Sequence, residues 1–176
     1  MPITPDTKDW TWVLDNRCAE CGFDPATTSF TQIPDIVRGN LAAWQPVLSR
    51  PEVRQRPDEQ TWSPLEYGAH VRDVFRIFLT RLQLMLAEED PLFENWDQDK
   101  TAIEDRYAEQ DPQTVARELA TAGEAIAAAF AGVPAGSLSR RGRRSNGSVF
   151  TVETLGLYFV HDPVHHLHDV SRLPAD

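Results

Sequence analysis

Trp62-Ser63-Pro64-Leu65-Glu66-Tyr67-Gly68-Ala69-His70-Val71-Arg72-Asp73-Val74-Phe75 carries an unusually complete set of helix-start signals. The Ser63 hydroxyl can accept the backbone N–H three residues on, and the Glu66 side chain can return the bond to the Ser63 N–H, forming a capping box. Pro64 lacks the N–H that a first helical residue would leave unpaired, and its fixed φ suits that position. The pattern predicts a helix from Pro64 to about Glu88, with Leu65, Val71, Val74, Phe75, Phe78, Leu82 and Met85 on its apolar face. His70 stands just past the second turn at nearly the angular position of Val74, so it points inward. An inward imidazole needs a partner, either a hydrogen bond in the core or a metal.

Neighbouring segments repeat the helical period. Ile33, Val37, Leu41, Trp44 and Leu48 predict a helix from about Phe30 to Leu48, which Pro46 is expected to end early. The segment from Arg50 to Glu59, with Pro51 and Pro57, reads as a connection. Leu92, Phe93 and Trp96 read as loop, followed by an acidic stretch through Asp105. Asp111-Pro112-Gln113 opens a third helix with Val115, Leu119, Ala122, Ile126 and Phe130 buried, and Gly132 and Pro134 end it. Ser148 or Thr151 starts the last, with Val152, Leu155, Phe159 and Val160 packed inward. Four long helical patterns, few convincing strands and no internal repeat give an all-α fold, an antiparallel four-helix bundle over residues 30–176. Residues 1–29, rich in Trp, Asp and Pro, form an irregular arm packed on that body.

Composition fits one domain. With 176 residues and 41% hydrophobic content the chain can bury one sizeable core. A formal net charge of −10 repels phosphate backbones, so no nucleic-acid partner is expected. No apolar run approaches the roughly 18 residues of a membrane span, and Asp6, Lys8 and Asp9 do not fit a secretion signal, which gives a cytoplasmic expectation. The one dense basic run, Arg140-Arg141-Gly142-Arg143-Arg144, reads as a solvated loop or as an anion clamp near a site mouth. Cys18 and Cys21 supply half of a tetrahedral zinc site, with no other cysteine to complete it. They read first as a structural turn with reduced thiols; a metal site completed by another residue or subunit, or a redox switch, are the alternatives.

The other chemical signal is Phe159-Val160-His161-Asp162-Pro163-Val164-His165-His166-Leu167-His168, which holds four of the five histidines. On a helix, His161, His165 and His168 share one face, where neutral imidazoles can converge on a divalent metal, and His70 could add a ligand from a second helix. Three protein ligands leave positions open, where bound water or a thiol becomes acidic and nucleophilic. His168, one turn beyond His165, is the candidate proton carrier or extra ligand; His166, about 100° round the helix, packs or faces solvent. Asp162 orients an imidazole or is exposed, and Pro163 is expected to kink the axis and widen the pocket.

In these features the chain resembles the DinB/YfiT-like metalloenzyme family. The resemblance rests on Trp62-Ser63-Pro64-Leu65-Glu66 followed by His70, and on the His161-x-x-x-His165 pair in a helical chain of similar length, and it runs from about Phe30 to Arg172. It implies an up-down-down-up four-helix bundle and a divalent ion, nickel or zinc, held by His70, His161 and His165. Related members activate a low-molecular-weight thiol, mycothiol or bacillithiol, for transfer or isomerisation. The Trp10-Thr11-Trp12-Val13-Leu14 opening and the Cys18/Cys21 turn look like those of actinobacterial relatives, which implies mycothiol. Pro163 and the His166/His168 tail depart from the family's usual ending with Arg, Gly and Gln.

The leading expectation is therefore a metal-dependent thiol S-transferase or isomerase acting on a small-molecule electrophile. Arg140, Arg141, Arg143 and Arg144 would hold a carboxylate of thiol or substrate. The alternatives are a metal-binding, stress-associated protein without turnover and a metal-free interaction module, dimeric through exposed aromatics such as Trp96.

Overall fold

A computed structural model describes residue 3 and residues 8–172 of the chain. The arm's residues 1–2 and 4–7 and the bundle's last residues, 173–176, lie outside the described residues. Five helices follow in order: α1 (Ile33–Leu48), α2 (Pro64–Ala87), α3 (Gln98–Glu104), α4 (Pro112–Ala131) and α5 (Val152–Ser171). None is long and apolar enough to cross a membrane.

The start of α2 forms as its sequence dictates. Ser63 Oγ accepts the Glu66 N–H at 3.3 Å, and the Glu66 carboxylate accepts the Ser63 N–H at 2.9 Å. Glu66 is buried and also pairs with Arg56, which ties the connection after α1 to the first turn of α2. α1 runs on through Pro46 to Leu48, and α5 is unbroken across Pro163, so neither proline ends its helix. Asn40 on α1 donates to the Pro163 carbonyl at 2.7 Å.

α1 and α2 each pack against α4 and α5, so the two helices consecutive in sequence make less contact with each other. The shared core holds Trp44, Phe75, Leu119, Ile126, Leu155 and Phe159, all fully buried. Gly123 lets α1 approach α4 closely, since a Cβ there would stand 2.3 Å from Leu41 Cδ2.

A small sheet corrects the expectation of loops around it. β1 (Leu92–Phe93) pairs parallel with β2 (Arg141–Arg144), and β2 pairs antiparallel with β3 (Val149–Thr151). The basic run is thus a strand. Strand geometry turns successive side chains to opposite faces, so Gly142 and Arg144 are buried while Arg141 and Arg143 are exposed. Gly142 is needed there, because a Cβ would meet Met85 at 2.6 Å. In the acidic stretch α3 forms, capped by Asp97, whose side chain accepts the Lys100 N–H. In the arm, Asp9 caps a short 3-10 turn, Trp10–Leu14, that buries Val13 and lies against α5.

Candidate metal centre

α5 carries two interleaved pairs, each spaced by four residues: His161 with His165, and Asp162 with His166. Each pair shares a face, but the two faces differ by about 100°, the rotation of one residue. The structure therefore sends them to different neighbours. Asp162 and His166 meet His70 of α2, whereas His161 and His165 meet Cys18 and Cys21 of the arm. The three histidines expected to act together, His70, His161 and His165, are divided between these two groups.

In the first group one ligand atom from each of His70, Asp162 and His166 lies within 4.8 Å of the others. His70 is fully buried, its ring stacked on Trp96 at 5.3 Å and tilted against Trp62 at the same separation. Trp96, expected as an exposed dimer contact, is instead half-buried over this histidine. His70 Nε2 is 3.3 Å from Asp162 Oδ1, yet the alignment is not that of a hydrogen bond, and Asp162 Oδ1 and both His70 nitrogens have no hydrogen-bond partner among the described residues. Leaving buried polar atoms unmet costs about 1–3 kcal/mol each. His166 Nδ1 lies 3.0 Å from Asp169 Oδ2, which turns Nε2 toward Asp162, 3.9 Å away. Burial would raise the Asp162 carboxyl, but the His70 and His166 imidazoles outweigh it and hold it down to about 2, so it is a carboxylate at neutral pH. Two imidazoles and one carboxylate converging on one point fit a divalent cation, and Asp169 behind His166 is the kind of partner that fixes a ligating imidazole.

In the second group Cys18 Sγ and His165 Nδ1 are 3.6 Å apart, and the other ring nitrogen of His165 faces Glu20 at 3.4 Å and Asp169 at 3.8 Å. Burial, then the neighbouring His165, pushes His161 down to about 4, and burial lowers His165 as well, so both favour the neutral form. Burial pushes the Cys21 thiol up to about 11. Trp10 covers both histidines, with its ring 5.4 Å from His161 and 5.2 Å from His165.

A cavity of about 330 Å³ is lined by Asp162 and His166 of the first group and by His161 and His165 of the second, walled by Trp10, Trp62, Tyr67 and Trp96 and reached by Arg81, Arg144 and Tyr158. Arg144 donates to Tyr158 Oη at 3.1 Å, one helical turn before Asp162 on α5. Arg81 sits between the Phe78 and Phe93 rings; burial and then the like charge of Arg144 push it down to about 10, still protonated at neutral pH. Both arginines are buried, and neither takes part in an ion pair among the described residues. Such a pair of desolvated cations suits an anionic group.

The rest of the basic run is spent elsewhere. Arg140 donates to the carbonyls of Met85 and Glu88 at the end of α2, Arg143 pairs with Asp90 at 3.2 Å, and Arg141 is exposed. Of the four arginines expected to bind a cosubstrate, Arg144 lines the cavity and the other three do not. His168 does not line it either: seven residues carry it about 10 Å along the axis from His161, and it sits beside Asp169 instead. Asp162, His166 and Arg81 were the residues that spacing alone did not single out. The available signal was the second four-residue pair, one position out of step with the first.

The model of the DinB superfamily matches residues 35–170. A solved structure, YfiT from Bacillus subtilis, described as a probable metal-dependent hydrolase with an unusual four-helix bundle topology, is 20% identical with a TM-score of 0.67. The match covers 81% of this chain and 84% of YfiT, and at that identity it shows the shared fold. No curated protein matches the chain.

Proposed function

We propose, for a chain that belongs to the DinB superfamily, a metal-dependent enzyme whose divalent ion is held by His70, Asp162 and His166 at the wall of the aromatic cavity. The observation that carries this reading is the convergence of those three side chains, with Asp162 Oδ1 and both His70 nitrogens lacking hydrogen-bond partners among the described residues, beside a cavity that also receives two buried arginines. Two histidines and one carboxylate leave coordination positions open. A bound divalent ion supplies Lewis acidity, which makes a thiol or water nucleophilic near neutral pH.

The chain's own residues do the rest. Asp169 holds the His166 ring in place through Nδ1, and Trp96 fixes His70 by stacking. Trp10, Trp62 and Trp96 exclude bulk water and strengthen every charge interaction inside. Arg144, steadied by Tyr158 and Ser148, and Arg81 bind a carboxylate or similar anion on the cosubstrate or substrate. The nucleophile in this reading is a small anionic thiol of the mycothiol type, transferred to an electrophile; water is the second choice, in line with the description of YfiT. The helices follow the up-down-down-up course that the family resemblance implies.

Metal analysis of untagged protein tests this. His70→Ala and Asp162→Ala should each lose one divalent ion per chain together with any thiol-transfer or hydrolytic turnover. Unchanged metal content in both variants would refute the assignment.

A further inference from the structure

The second group of side chains stands beside that centre on the next face of α5, shares the cavity wall through His161 and His165, and matches a different chemistry. We infer that Cys18, Cys21, His161 and His165 form a closed, structural zinc site that fastens the N-terminal arm to α5. One ligand atom from each of the four lies within 4.8 Å of all the others. Cys18, His161 and His165 are 1%, 4% and 6% exposed, and Cys21 is half-buried.

The loop is shaped to present both sulfurs on one side. The Cys18 N–H donates to the Phe23 carbonyl at 2.8 Å, the Gly22 N–H donates to the Cys18 carbonyl at 2.9 Å, and Gly22 takes φ of 79°, which a side chain would resist. On the helix side, two histidines four residues apart stand one turn from each other and face the loop together.

The Cys18–His165 separation agrees with tetrahedral coordination. With Zn–S of about 2.3 Å and Zn–N of about 2.0–2.1 Å, the S···N edge of the tetrahedron is about 3.6 Å, which is the separation of Cys18 Sγ and His165 Nδ1. A thiol-to-imidazole hydrogen bond would also explain that one contact. It would not explain His161, whose Nε2 is buried without a hydrogen-bond partner among the described residues. Glu20 and Asp169 face His165 Nε2, so the proton is held there and the Nδ1 lone pair is left toward the sulfur. Two thiolates and two neutral imidazoles are a borderline-soft donor set that selects zinc among the common divalent ions. Four protein ligands leave no position for substrate, so this site does not turn over; it anchors the 3-10 turn that carries Trp10 into the cavity wall.

The site stands or falls independently of the proposed enzyme centre, because His70, Asp162 and His166 take no part in it. X-ray absorption of the zinc-loaded full-length protein should show sulfur scatterers at about 2.3 Å. Replacement of zinc by cobalt should give a thiolate-to-metal charge-transfer band that Cys18→Ser/Cys21→Ser and His161→Ala/His165→Ala both abolish and His70→Ala retains. Zinc lacking any sulfur neighbour in the wild type, or a band that persists in the histidine double variant, would overturn the inference.

Discussion

Two faces of one helix differ by a single residue step and by almost everything else. On one face of α5, His161 and His165 meet the arm, where two sulfurs stand beside them and a tryptophan covers the group at the edge of the cavity. On the other, Asp162 and His166 look toward α2, where one buried histidine completes a trio beside a cavity. The helix supplies the same spacing to both. What each face can do is decided by what the rest of the chain brings to it: two sulfurs complete a four-ligand anchor, whereas one buried histidine and one carboxylate leave coordination positions open for chemistry.

This contrast can be broken by variants that act on one face only. The largest effect is expected from Cys18→Ser/Cys21→Ser, because metal binding at a structural site is folding free energy. We expect a stability loss of roughly 3–5 kcal/mol, seen as a fall in Tm of about 10 °C at roughly 2–4 °C per kcal/mol for a chain of this size. The same variant should leave metal at the His70 group, and differential scanning calorimetry with parallel metal analysis checks both parts.

His70→Ala should give the reverse pattern. Turnover should fall by at least about 100-fold, while the calorimetric transition should keep the zinc-dependent stability of the arm; steady-state kinetics beside calorimetry reads this. Asp169→Asn sharpens the comparison, since Asp169 touches His166 at 3.0 Å and His165 at 3.8 Å. Loss of an orienting carboxylate lowers metal affinity by about 10–100-fold. The drop should be larger at the cavity, because His165 keeps Glu20 as a second partner; competitive chelator titration separates the two ions.

Arg144→Gln should raise KM for an anionic substrate by about 10- to 100-fold, from the loss of a charge-assisted hydrogen bond of roughly 1.5–3 kcal/mol, with metal content unchanged. The smallest effect belongs to Glu66, remote from both sulfurs. Burial favours its protonated form, but Arg56 and Ser63 overcome this and hold the carboxyl below its ordinary value. A depressed folded pKa gives stability that is present above the unfolded value of about 4.3 and is lost as the pH falls through the folded value. Glu66→Gln should therefore cost about 1–2 kcal/mol at pH 7, and the gap to the wild type should close in urea titrations below about pH 4.

The helices were legible because each announces itself locally. Ser63-Pro64-x-Glu66 and Asp111-Pro112 satisfy their own first turns, and the stripes of α1, α2, α4 and α5 bury the residues their period selects, save Leu41, which is half-buried. The sheet was not, since Arg141-Gly142-Arg143-Arg144 shows no apolar alternation; its inward positions hold a glycine that makes room for Met85 and an arginine that reaches a cavity. α3 is too short, at seven residues, to show a period. For the site, the histidine spacing marked the right helix, but spacing cannot tell which face meets which neighbour. The partnership of Cys18 with His165 spans 147 positions of chain and arises only when the arm folds back. One proline was over-weighted: α1 runs on through Pro46 to Leu48 instead of ending early.

The most direct test counts metal ions per chain in the untagged wild type, in Cys18→Ser/Cys21→Ser and in His70→Ala. Two ions in the wild type and one in each variant are predicted, with sulfur-bound zinc the ion that His70→Ala keeps. A single ion in the wild type, lost equally in both variants, would contradict the division of α5 into two metal-binding faces.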